Sequence, residues 1–281
     1  MQIPLFEPTS LWRPPASFPT LDPVIALDVE TRDPHLLTTG PSFKRGEGEV
    51  IGIALADKNH QIYLPIAHQG GDNLDKRLVI SYVQHVLRDA TEVIMANALY
   101  DLGWLDTLGL GVSGSVRDVQ VAEALLDEER YSYSLDNLAN DYLGKGKAEG
   151  DLNKAARAFQ LANKDFDPKS DMWRLPARHV GHYAECDARY TYDIYVKQIP
   201  KLQAENLWKV WDLECEVTKA LQYMTKKGVP VDQKAAEQLR DEMWAEEKKL
   251  SSQFEGVDIW STDQLAKYLI KNDISIPKTA K

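Results

Sequence analysis

Apolar positions come in short solid runs through the first hundred residues and settle into stripes three and four apart further along. Residues 24–29 (VIALDV) form a β-branched apolar run that stops at Glu30 and Thr31, the pattern of a buried strand. Residues 50–56 and 61–65 predict two more strands, joined as a hairpin by the turn at 57–60. Residues 74–87 carry apolar side chains at 74, 78, 79, 82, 83, 86 and 87, one face of an amphipathic helix. A strand at 93–96 and a helix at about 99–108 follow. Ser134 caps a predicted helix over 135–143 that Gly144 ends. The polar stretch 145–176 has helix-like parts but weak periodicity and reads as a mobile, substrate-facing segment. A strong helix at 180–196 is expected to break at Pro200, and apolar steps from Leu207 to Met224 predict another that stops at Gly228. Strands precede helices rather than alternating with them, so the expectation is an α/β fold with a mixed sheet flanked by helices.

Six prolines between residues 4 and 23 deny regular pairing and suggest an extended arm, residues 1–22, lying on the body. The main domain is expected over 23–202 and a helical extension over 203–281. No apolar run approaches the roughly 20 residues of a membrane helix, and the start of the chain lacks the basic, then apolar, pattern of a secretory signal. A cytoplasmic location without membrane association is expected. Cys186 and Cys215 fall in helical patterns at no metal or disulfide spacing, as reduced core residues would. The net charge of −10 argues against bulk electrostatic binding of a polyanion. Residues 141–210 depart from it, with 12 basic against 10 acidic side chains. A polyanion would have to be met locally or through metal ions.

The carboxylates carry the chemistry. Asp28 and Glu30 are two apart where an apolar strand runs out, so both leave one face of the sheet. Asp101 lies four residues after Asn97, in the first turn of a helix, where the dipole alone would favour an acid and Asn97 would make a good cap. Tyr183 and Asp187 share a helical face, a spacing that a buried tyrosine–aspartate hydrogen bond would also explain. Asp28, Glu30, Asp101 and Asp187 together are hard oxygen donors with no Cys/His set at zinc spacing, the ligand chemistry of Mg²⁺ or Mn²⁺. Two such ions can stabilise the attacking and leaving oxygens of a phosphodiester displacement.

The ordered motifs DVET, NALYD and YAECD resemble the three exonuclease motifs of the DEDD nucleases, in the tyrosine subclass found in the proofreading domain of family A (DNA polymerase I type) polymerases. Residues 116–126 and 133–144 are similar to the stretch between the second and third motifs, and 221–232 and 261–281 to segments linking exonuclease and thumb, so the resemblance covers about 20–281. It implies a ribonuclease H-like fold followed by a helical base of the thumb. It implies two divalent ions, Mg²⁺ or Mn²⁺, one held by Asp28, Glu30 and Asp187 and the second placed by Asp28 with Asp101. Tyr183 would orient the attacking water, Thr31 and Asn97 would touch the terminal nucleotide, and Leu36 or Leu37 would wedge terminal bases apart. The implied activity is 3'-5' exodeoxyribonuclease, releasing nucleoside monophosphates from single-stranded or frayed 3' ends of DNA in replication, with a separate polymerase chain as a further partner.

Two features depart from that pattern. The palm and fingers motifs of a polymerase are absent from these residues, so no polymerisation is expected from this chain alone. His182 stands five residues before Asp187, the spacing of the histidine subclass, but on a helix position 183 lies about 40° from 187 and position 182 about 140° away. A ribonuclease D-like exoribonuclease with the same acidic set, and a non-catalytic DNA-binding or docking scaffold, are the alternatives; the four intact carboxylates speak against the second.

Overall fold

The computed structural model describes residues 8–146, 148–162, 170–254 and 256–274. Parts of the N-terminal arm, of the 145–176 segment and of the C-terminal extension thus lie outside the described residues. Two compact units divide the chain, Met1–Lys227 and Gly228–Lys281.

The first unit is built on a five-stranded sheet: β1 (Val24–Arg32), β2 (Glu49–Ala56), β3 (Gln61–Pro65), β4 (Glu92–Met95) and β5 (Ser115–Asp118), in the order β3-β2-β1-β4-β5. β1 runs antiparallel to β2 and parallel to β4; β2–β3 is the expected hairpin, and β4–β5 is parallel. The helices are α1 (Leu36–Thr39), α2 (Lys76–Asp89), α3 (Ala98–Thr107), α4 (Val119–Leu126), α5 (Leu135–Leu143), α6 (Gly150–Ala162), α7 (Gly181–Ala204) and α8 (Trp208–Lys227). The second unit holds α9 (Gln233–Ser251) and α10 (Thr262–Lys271), whose N-termini are capped by Asp232 and Ser261. Among the described residues no helix is long and apolar enough to cross a membrane.

Side chains of β1 alternate between two cores. Ile25, Leu27 and Val29 pack with Val79, Val83 and Leu87 of α2 and with α3. Ala26 faces the other way, with Ala54 and Ala56 of β2, onto Ala184 and Ala188 of α7. Small residues on both sides let this helix lie close to the sheet, and the same alternation sends Asp28 and Glu30 toward α7 where the strand emerges. Trp12 is buried against α7 at Gly181, where a Cβ would lie 2.2 Å from the indole.

Several elements differ from the sequence pattern. β1 runs on to Arg32, through an irregularity in register between Glu30 and Thr31, because β2 continues to pair with it. β5 has no apolar signature, since Arg117 and Asp118 interrupt it; pairing with β4 makes it a strand. Residues 150–162, within the stretch of weak periodicity expected to be mobile, form a packed helix, with Leu152, Ala155, Ala156 and Phe159 buried against Ile51, Met172, Leu175 and Val180. Alanines make that stripe weak in sequence. α7 passes through Pro200. A mid-helix proline costs about 3 kcal/mol, which is offset here by buried Leu202 and by Gln198, whose amide donates to Val119 O at 3.0 Å and to Glu123 at 2.9 Å. The compact unit also extends past the boundary expected near 203, because α8 packs on α3, α4 and β5. Both cysteines are buried and free, as expected.

Candidate active site

The C-terminal ends of β1 and β4 and the first two turns of α7 surround a cleft of about 660 Å³. Asp28, Glu30, Asp101, Tyr183 and Asp187 all line it, as do Thr31, Asn97 and Leu36. Leu37 does not: it follows Leu36 on the short α1, about 100° further round, and is 95% exposed. Of the two leucines expected as a wedge, only Leu36 stands at the cleft.

Each acid arrives by a different local route. Asp28 and Glu30 leave β1 together. Asp101 sits in the first turn of α3 and is buried. Parallel pairing of β1 with β4 stops at Ala26 and Ile94, and beyond it the Val29 N–H donates to Asp101 Oδ1 at 3.3 Å. Asp101 Oδ2 is buried and has no hydrogen-bond partner among the described residues. Burial above all, then the Asp28, Asp118 and Glu30 carboxylates, push Asp101 well above the usual carboxylate range. Asp187 and Tyr183 come from one face of α7, and the Tyr183 hydroxyl hydrogen-bonds Asp187. Burial, then Glu30, Asp187 and Asp28, raise this phenol far above its ordinary pKa, so it stays protonated.

His182 points elsewhere. Its Nε2 lies 3.8 Å from Cys186 Sγ, and it lines a separate hollow with Thr9, Ser10 and Lys154. The helical-angle argument that separated the two subclass signatures therefore holds in the geometry.

Asn97 is not the cap its position suggested. It is left-handed (φ 69°) and its side chain makes no capping bond. The cap comes from Asp118, at the end of β5, whose carboxylate accepts from Ala98 N at 2.7 Å and Asn97 N at 3.4 Å. The same carboxylate caps α4 through Gln120 N at 2.8 Å and Val121 N at 3.4 Å. Asp118 thus fixes the turn that carries Asp101. The sequence signal for it was weak: an aspartate ahead of VQVAEALL could have been read as a helix cap.

A second network secures the rim. The Tyr100 hydroxyl donates to Asp33 Oδ2 at 3.1 Å and is 2.7 Å from Thr31 Oγ1. Asp33 Oδ1 accepts from Ser42 N at 3.1 Å, tying the loop that bears Leu36 to α3. Below Glu30, the buried Tyr63 hydroxyl reaches His68 Nε2 at 2.7 Å, while His68 Nδ1 reaches Leu175 O at 3.0 Å. Gly52, the register partner of Glu30, leaves the space that this phenol fills.

Six carboxylates line the cleft and, among the described residues, no Lys, Arg or His does. No three His, Cys, Asp or Glu side chains among the described residues form a closed metal-ligating group, so gathering on a cation would take side-chain rotation. The donor chemistry nevertheless fits hard divalent cations: oxygen ligands only, an excess of negative charge, and an unsatisfied buried oxygen on Asp101.

The family model for 3'-5' exonuclease matches residues 11–203. A DNA-directed DNA polymerase of Pseudomonas phage M6 is 33% identical over 271 residues, which is 91% of this chain and 40% of that protein. The chain thus spans about 40% of the length of that relative. Among solved structures, the POL domain of Pol1 from M. smegmatis, in complex with DNA primer-template and dNTP, superimposes with a TM-score of 0.58 at 17% identity, over 92% of this chain and 39% of that one. Brucella melitensis NrnC with bound Mg²⁺ gives a TM-score of 0.50 at 13% identity, over 73% and 86%. At such identities the two structures report a shared fold.

Proposed function

This chain belongs to the 3'-5' exonuclease family of family A DNA polymerases, and from that premise we propose that it releases nucleoside 5'-monophosphates from single-stranded or frayed 3' ends of DNA by hydrolysis dependent on two divalent cations, Mg²⁺ or Mn²⁺. The observation that carries the reading is the gathering of Asp28, Glu30, Asp101 and Asp187 with Tyr183 in one cleft that holds no basic side chain among its described residues. A phosphodiester cannot approach six carboxylates unless cations neutralise them.

Asp28, Glu30 and Asp187 would hold one cation, and Asp28 with Asp101 would place the other. When bound, the pair would supply charge neutralisation for the displacement at phosphorus. Tyr183, neutral and anchored to Asp187, would hold the attacking water in line by hydrogen bonding rather than act as a base. Thr31, Asn97 and Leu36 stand where a terminal nucleotide would be gripped. The choice of DNA is supported by the polymerase relative, which also makes a polymerase body, in the same polypeptide or a separate chain, the natural source of ends.

The test is digestion of matched DNA and RNA oligonucleotides, labelled at the 5' end, in Mg²⁺, Mn²⁺ and EDTA, with chromatography of the products. Mononucleotides from DNA, lost in EDTA, are expected. Faster digestion of RNA would turn the assignment toward an exoribonuclease, and turnover in EDTA would sink the metal-dependent reading.

A further inference from the structure

Beneath the acidic cleft the protein buries a phenol and an imidazole, Tyr63 and His68. Pairing across β1, β2 and β3 sets Asp28, Ala54 and Tyr63 in one row and Glu30, Gly52 and Pro65 in the next. Paired residues share a face of the sheet, so the Tyr63 ring starts one row from Glu30 and runs diagonally over Gly52. Its hydroxyl occupies the place of a Gly52 side chain: a Cβ there would lie 2.1 Å from it. The hydroxyl therefore sits at the position facing Glu30 across the β1–β2 pair. Burial first, then Glu30 and Asp28, hold this phenol well above its ordinary pKa, so it keeps its proton.

The imidazole decides where that proton points. A carbonyl oxygen only accepts, so the 3.0 Å contact with Leu175 O places a hydrogen on His68 Nδ1. Burial lowers the His68 pKa to about 4, so near neutral pH the ring carries that hydrogen alone and Nε2 is an acceptor. The Tyr63 hydroxyl, 2.7 Å away, donates to it. Asn73 clamps the His68 backbone, accepting from its N–H at 2.8 Å and donating to its carbonyl at 2.7 Å. The single proton of the phenol is thereby committed to His68 and unavailable to Glu30.

We propose that Tyr63 and His68 are positioning residues for the cleft: by accepting the Tyr63 hydrogen bond, His68 keeps the phenol from donating to Glu30, and Glu30 keeps its charge for a divalent cation. This rests on the exonuclease reading and deepens it. A hydrogen-bond donor and a cation draw on the same carboxylate lone pairs, so a phenol bound to Glu30 would compete with the ion. His68 also holds Leu175 O, which ties the hairpin below Glu30 to the segment entering the helix that carries Tyr183 and Asp187.

Calorimetric titration of Mn²⁺ into the full chain separates this from a merely structural role. His68→Leu removes the acceptor and frees the phenol to donate to Glu30, and should weaken Mn²⁺ binding about tenfold, the scale of one hydrogen bond to a charged group. Tyr63→Phe removes the competing donor and should bind Mn²⁺ as the wild type does. The double variant, Tyr63→Phe with His68→Leu, should recover the affinity that His68→Leu loses, even though Leu175 O stays without its donor and the Tm stays low. Unchanged affinity in His68→Leu, a double variant as weak as His68→Leu, or a marked loss in Tyr63→Phe alone overturns the proposal; the last can be read even if His68→Leu does not fold. Failure of the exonuclease reading would show separately, as wild-type protein that binds Mn²⁺ yet releases no mononucleotides.

Discussion

Two places in this molecule bury ionised groups at the sheet, and they do opposite things with them. On β5, Arg117 donates to Glu92 at 2.9 Å and to Asp212 of α8 at 2.6 Å, and its guanidinium lies 5.2 Å from the ring centres of both Trp208 and Trp211. Opposite charges and aromatic faces compensate it, and the result ties α8 to the sheet. On β1, Asp28 and Glu30 meet Asp101 and Asp187 with no base among the described lining residues. There like charge faces like charge, and the compensation has to come from outside. The first arrangement is glue; the second is the one proposed above to hold cations.

The largest effect is expected at the uncompensated end. Replacing Asp28, Glu30, Asp101 or Asp187 with alanine should lower mononucleotide release by about 10³-fold. Asp101→Asn, measured in EDTA, should leave the Tm equal or higher, since burial and the facing carboxylates already disfavour ionisation of Asp101. If two of the alanine variants kept wild-type turnover, the contrast would collapse.

Arg117→Met should do the reverse. Loss of the shared cation exposes Glu92 to partial burial alone, a cost of about 3 kcal/mol in urea denaturation, while activity per folded molecule stays within a few-fold. A large activity loss without destabilisation would show that Arg117 serves the cleft.

The buried His68 gives a pH signature between these extremes. Burial lowers its pKa to about 4, against about 6.5 in an unfolded chain. Between those values the unfolded state binds more protons, so stability is full above pH 6.5 and is lost as pH falls toward 4, by about 3 kcal/mol at most. In His68→Gln the slope of unfolding free energy against pH over that window should be shallower by about one proton. An unchanged slope would place the titration elsewhere.

The smallest effects sharpen the site itself. Tyr183→Phe should slow release by about 10²-fold with cation affinity unchanged by calorimetry, whereas His182→Ala should stay within a few-fold. A greater loss for His182→Ala would reverse the roles assigned to this turn of α7.

The residues proposed to carry the chemistry were legible because their signals are local. Asp28 and Glu30 end an apolar run, Asp101 opens a helix, and Tyr183 and Asp187 share a helical face; period and spacing state each of these. Helix α5 was equally plain, with Ser134 accepting from Asn137 N and Gly144 left-handed at its end. Leu36 and Leu37 mark the limit of such reasoning. They are adjacent and chemically identical, and only the turn of α1 brings one to the cleft and sends the other to solvent.

By itself, then, the sequence offered the carboxylates that could ligate and placed β1 to β4 and the helices α2, α3, α5, α7 and α8 in their order. Tertiary structure alone decided that β5 is a strand, that Pro200 stays within a helix, that α6 is packed rather than mobile, and that Asp118 rather than Asn97 caps the turn bearing Asp101. The physical reason is common to all four. Propensity and periodicity act between neighbours in the chain, whereas a strand edge, a helix cap or a buried amide is satisfied by a partner far along it. Those partners come within reach only once the order β3-β2-β1-β4-β5 has been assembled.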